Sequence, residues 1–136
     1  MRHVESSLFL NRNGRPVIIR TLSDCKEFLA GDHTKLRELL HPARAPVQIG
    51  YSLAHGTLEA RARSKRHRLA ATEVYYFVAG EGIFHMDDQA SPVQAGDAVY
   101  VPPGVVQWVE NTGGERLEFL CLVEPAWTGE GEEVLE

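Results

Sequence analysis

At 136 residues, with 43% hydrophobic and 24% charged side chains, the chain has the size and balance of one globular domain. Its formal net charge of −5 argues against nucleic acid as a partner, and no apolar run reaches the ~20 residues of a membrane helix. The N-terminal residues show no secretory h-region, and two cysteines, Cys25 and Cys121, do not make a disulfide framework, so a soluble cytoplasmic protein is expected.

In chain order, Leu8–Leu10 and Val17–Arg20 are β-prone runs on either side of Asn13-Gly14, a turn pair. The signals from Thr21 to Pro46 are helical. Ser23 can cap a short helix that ends near Gly31. Asp32 can cap a second one, with Leu36, Leu39 and Leu40 at helical spacing and Pro42 and Pro46 closing it. Residues 1–46 are therefore expected to form an extension of a β-arm and short helices.

From Val47 the pattern turns to β. Strands are predicted at about Val47–Leu58, His67–Leu69, Glu73–Val78, Gly82–Asp87, Ser91–Gln94, Ala98–Val101, Val105–Asn111 and Arg116–Val123. Short strands broken by Gly, Pro and Asp predict an all-β sandwich or barrel over residues 47–126. Residues 127–136, with "GEGEEVLE", are expected to be a mobile acidic tail.

The period of two places Glu73, Tyr75 and Phe77 on one face of their strand. It places Phe84 and Met86 opposite His85, which should point outward, and Cys121 with Leu117, Phe119 and Val123 as a small buried hydrophobe. Trp108 and Trp127 are expected on the outside of the barrel or at an interface. "RARSKRHR", Arg61 to Arg68, has five Arg or Lys among eight residues. It reads either as a solvated loop or as a positive rim for an anionic small molecule.

Two segments together carry a resemblance. "RARSKRHRLAATEVYYFVAG" follows G-x5-H-x-H-x3-4-E-x6-G, with Arg61 at the first glycine, His67 at the first histidine, Leu69 at the second, Glu73 at the glutamate and Gly80 at the last glycine. "GDAVYVPPGVVQWVEN" follows G-x5-P-x-G-x2-H-x3-N, with Gly96, Pro102, Gly104 and Asn111 in place and Gln107 at the histidine. The chain thus resembles the cupins, which implies a double-stranded β-helix, or jelly-roll barrel, with a short helical N-terminal extension. It further implies a homodimer, to which Leu8–Leu10 and Val17–Arg20 would lend strand edges.

The resemblance also implies one divalent transition metal in the barrel, with Fe, Mn, Ni and Zn not distinguished. His67 and Glu73 keep two of the four usual ligand positions, Gln107 offers a weaker amide oxygen, and His55 is the candidate replacement nitrogen. Leu69, Tyr75, Arg61 and Arg66 would shape the substrate pocket, and Glu73 or His67 would serve as acid or base. The implied function is a metal-dependent enzyme on a small polar or anionic molecule, of oxygenase, isomerase or lyase type. The alternative is a metal-free cupin that binds a sugar-like small molecule without turning it over.

Overall fold

The computed structural model describes Leu10, residues 12–15 and residues 17–136. Eleven strands carry the fold among them: β1 Glu27–Leu29, β2 Lys35–Leu40, β3 Ser52–Leu58, β4 His67–Leu69, β5 Thr72–Ala79, β6 Glu81–Met86, β7 Gln89–Gln94, β8 Ala98–Val101, β9 Gln107–Asn111, β10 Leu117–Glu124 and β11 Glu132–Val134. They pair antiparallel into a six-stranded sheet, β1-β2-β3-β10-β5-β8, and a five-stranded sheet, β11-β4-β9-β6-β7. The inner faces of the two sheets meet in a core of Leu58, Tyr75, Phe77, Phe84, Val93, Val101, Val109, Leu117 and Phe119. Every second residue of β5 and β10 turns into this core, as the period of two requires. Among the described residues no helix is long and apolar enough to cross a membrane.

The motif positions have plain backbone reasons. Gly80, Gly96 and Gly104 have φ of 90°, 96° and 81°, in the left-handed region that glycine enters without strain. Arg61, at the first glycine position of the motif, also has a positive φ of 70°. Asn111 ties three loops together: its Nδ2 donates to the carbonyls of Leu58, Glu59 and Glu115, and its Oδ1 accepts from Gly113 N.

Gly82 marks where β6 passes closest to β9. A Cβ there would overlap the carbonyl oxygen of Glu110 across the ladder, a backbone atom that has no rotamer to yield. Gly82→Ala is expected to destabilise by about 1–3 kcal/mol. In urea unfolding this would appear as a lowered midpoint with an unchanged slope. A midpoint equal to the parent's would show that the two strands can part at no cost.

Among its described residues the N-terminal extension forms no α-helix. Thr21 to Leu40 form a single 3-10 turn, Leu22–Asp24, and the β1–β2 hairpin, which extends the barrel sheet through β2 and β3. Asp32 does cap a backbone N–H, but that of Thr34 two residues on, at 3.1 Å, inside the hairpin turn. A short polar side chain offers this bond equally to a helix start or to a turn. The open edge of β3 selects the turn, because pairing satisfies a whole row of backbone groups. Val47–Tyr51 likewise precede β3 rather than belonging to it.

Leu8 and Phe9, assigned above to a dimer edge, lie outside the described residues, while Leu10 and Ile19 expose most of their surface and Val17–Arg20 form no strand. The acidic tail is docked. Strand β11 pairs with β4, and the Glu136 side chain holds Arg63 at 2.6 Å and the backbone N–H of Arg66 at 2.6 Å. Arg68 pairs with Glu133 at 2.6 Å.

Candidate functional site

A cavity of about 330 Å³ opens between the inner face of the six-stranded sheet, including the β1–β2 hairpin, and strands β4 and β11 of the five-stranded sheet. Its walls are largely apolar: Leu36 from β2, Leu69 from β4, Tyr75 from β5 and Phe119 from β10, with Phe28, Leu29 and Trp127 toward the outside. Its polar groups are few. His67, Glu73, Asp32 and Glu132 line it together with the Cys121 thiol. An apolar cleft with a handful of convergent polar groups is the usual form of a small-molecule site.

His67 is 2% exposed, and both ring nitrogens are directed. Nδ1 lies 2.7 Å from the carbonyl of Lys65, which can only accept, so the ring carries a proton there. Nε2 is thereby turned toward the cavity, 3.4 Å from Asp32 Oδ2. The other Asp32 oxygen is fixed by Thr34 N, which sets the carboxylate in place. The hairpin thus delivers a carboxylate to the histidine from outside the barrel motifs.

Glu73 sits on β5 with its carboxyl in the apolar floor. Burial pushes it up to about 8, and the charges of Asp32 and Glu132 add to the rise. The Gln107 amide, whose hydrogen bond pulls the other way, donates from Nε2 to Glu73 Oε1 at 2.9 Å. Gln107 Oε1 accepts from the Tyr75 hydroxyl at 2.7 Å. At neutral pH, therefore, Glu73 is mostly a neutral acid, able to donate a proton or a hydrogen bond. Burial also raises the Cys121 thiol well above its ordinary range, with the neighbouring Glu73 contributing, so it is a neutral, unreactive sulfur.

Of the residues singled out from the sequence, His67, Glu73, Leu69 and Tyr75 line this cavity, and Gln107 lies one layer deeper behind Glu73 and Tyr75. His55 does not join them. Ser52 and Ala54 line the cavity, so Leu53, His55 and Thr57 project to the opposite face of the sheet. There His55 Nε2 lies 3.4 Å from Glu118 Oε1, and burial lowers its pKa. Small residues face inward on this strand because β10 fills the space: a Cβ on Gly56 would lie 2.5 Å from the Phe119 ring.

Arg61 and Arg66 are also not pocket residues. Arg61 is exposed on its turn, and Arg66 is held by Glu136 outside the cavity. His85 faces outward as expected, stacked on Trp108 at 3.4 Å and bonded to Glu110 at 3.0 Å. Trp127, expected outside the barrel, stands at the cavity rim. His41 accepts from Ala43 N at Nδ1 and therefore donates from Nε2 to the Trp127 carbonyl at 2.8 Å, while Trp127 N donates to Ser52 Oγ at 2.9 Å.

The donor set does not fit the metal that the family pattern implies. Leu69 places hydrocarbon at one ligand position, and both polar atoms of Gln107 are committed to Tyr75 and Glu73. His55 is on the wrong face. Among the described residues no group of three or more His, Cys, Asp or Glu side chains is arranged to hold an ion. His67 with Asp32 beside its Nε2, and Glu73 bonded to Gln107, are the ligand types the cavity holds, and no third such group joins either in the arrangement that a tight transition-metal site needs.

Two antiparallel sheets closed on an inner cavity define a double-stranded β-helix protein with a small-molecule-sized chamber. The model of the cupin domain family matches residues 54–123, and the chain belongs to that family. It is 32% identical over 121 residues to an uncharacterised protein of Methanocaldococcus jannaschii, covering 88% of this chain and 96% of that one. It is 41% identical over 51 residues to an oxalate-binding protein of Thermotoga maritima, covering 38% of this chain and 42% of that one. Among solved structures, a cupin 2 conserved barrel domain protein of Salinispora arenicola superposes with a TM-score of 0.71 at 21% identity, covering 85% of this chain and 92% of that one.

Proposed function

We propose that this cupin binds a small organic molecule in its barrel cavity without a metal, and that His67 and Glu73 act there as a base and an acid. The observation that supports this most is a directed imidazole and a buried carboxyl held in one apolar chamber. Nδ1 of His67 is held by the Lys65 carbonyl so that Nε2 faces the cavity beside Asp32, while Glu73 presents a largely protonated carboxyl at neutral pH. An imidazole and a carboxylic acid in one chamber can take a proton at one point of a ligand and give one at another. Asp32 orients the imidazole and would stabilise its protonated form. The metal-dependent enzyme implied by the family resemblance lacks support in this ligand set.

Metal analysis combined with ligand screening tests the reading. The purified protein is expected to hold far less than one equivalent of metal and to keep its Tm in EDTA. A ligand found by thermal shift should lose at least ten-fold in affinity in His67→Ala, a loss of about 1.4 kcal/mol or more. One equivalent of transition metal that disappears in His67→Ala would refute the metal-free site.

A further inference from the structure

The cavity has a charge character opposite to that expected from the basic run. Among the described residues no arginine or lysine lines it, whereas three acidic side chains do: Asp32, Glu73 and Glu132. Arg63, Arg66 and Arg68 are held by Glu136 and Glu133 of the docked tail. Among the described residues the one basic side chain inside is His67, whose Nε2 lies 3.4 Å from Asp32. Glu132 stands at the mouth. Its Oε1 accepts from Trp127 Nε1 at 3.2 Å, and its Oε2 lies beside Gly31 with no hydrogen-bond donor among the described residues.

We infer that the ligand is a compact amine carrying a positive charge on an apolar, ring-sized body, with the ammonium set between Glu132 and Asp32 at the Trp127 rim. This rests on the small-molecule reading above and names the ligand class of that same cavity. An ammonium entering a poorly hydrated chamber loses its hydration shell, and two carboxylates with the face of an indole replace it. A carboxylate would meet like charge in the same low-dielectric space, where repulsion is only weakly screened. The apolar body would lie against Leu69, Tyr75 and Phe119, and about 330 Å³ is near the lower end of ligand sites, which limits that body to roughly one ring and a short chain. Oxalate, the ligand named for the Thermotoga maritima relative, is excluded by the same charges.

Calorimetric titration of the full chain at pH 7 with four probes tests this: phenethylamine, 2-phenylethanol, phenylacetate and oxalate. Phenethylamine is expected to bind at least ten-fold more tightly than 2-phenylethanol, and the two anions more weakly than either. Glu132→Gln and Asp32→Asn should each reduce the preference for amine over alcohol by three-fold or more. Retained 2-phenylethanol binding in these variants shows that the cavity is intact. Equal affinity for amine and alcohol, or a preference that survives both substitutions, overturns the charge assignment and leaves the cavity reading standing. Tighter binding of phenylacetate or oxalate than of phenethylamine likewise overturns it. If no probe binds, or binding appears only with added Mn²⁺, both this inference and the metal-free site fail.

Discussion

Glu73→Gln is expected to make the protein more stable than the parent at pH 8 while leaving it close to the parent at pH 5. The carboxyl has an ordinary value of 4.5 and is pushed up to about 8 in the fold, chiefly by burial. A raised carboxyl value means that the native state keeps a proton which the unfolded chain releases. Below pH 4.5 both states are protonated and the contribution is fully present. From pH 4.5 to 8 the unfolded chain binds fewer protons, so stability falls as pH rises, by at most about 1.4 kcal/mol per pH unit. The ceiling of the whole effect is on the order of 4–5 kcal/mol, a large share of a small domain's stability. Glutamine keeps the shape and an oxygen to accept from Gln107, but it cannot ionise. Urea unfolding at pH 5, 6, 7 and 8 should therefore show the parent losing stability steadily against Glu73→Gln. Parallel curves for the two proteins would mean that Glu73 is hydrated or paired with a cation in solution, and the acid role proposed for it would go.

The barrel was legible in the sequence because its signals are local. Gly80, Gly96 and Gly104 report left-handed backbone, and Asn111 reports a loop that needs several carbonyls satisfied at once. Alternation in "EVYYFV" correctly separates Glu73, Tyr75 and Phe77 from the exposed Tyr76 and Val78. The hairpin was misread because Asp32, Leu36, Leu39 and Leu40 fit a capped helix as well as a turn and strand, and the β3 edge that decides between them is far away in sequence. His55 was misplaced for a related reason. His55 shares a face with Tyr51, Leu53 and Thr57, and alternation alone does not say which face of the strand turns inward. The actual choice depends on Phe119, which takes the room opposite Gly56. Asp32 and Glu132 reach the cavity from segments on either side of the family motifs, and nothing in their own neighbourhoods marks them as site residues. The basic run, in turn, gave no sign that its charges would be met by the tail.

Gln107→Leu is expected to cost about 2–5 kcal/mol, among the largest effects of any single conservative-volume change in this protein. The residue is 1% exposed and is the hub between two other buried polar groups. Removing its amide leaves the Tyr75 hydroxyl without its acceptor and Glu73 Oε1 without its donor. A buried polar group stripped of its partner costs about 1–3 kcal/mol, and here there are two. Tyr75→Phe alone removes only one of these bonds and is expected to cost less. In the double variant the hydroxyl that Gln107→Leu orphans is no longer there, so the two costs should fall short of their sum by about 1–2 kcal/mol. The pH dependence of Glu73 offers a second reading of the same change. The Gln107 hydrogen bond holds the carboxyl lower than burial alone would, so in Gln107→Leu the loss of stability should still begin near pH 4.5 but continue to higher pH than in the parent. A metal ligand at this position would behave differently, since EDTA added to the parent would then reproduce the substitution. An EDTA effect of that size, or additive costs in the cycle, would remove Gln107 from the hydrogen-bonded floor and return it to the ligand set.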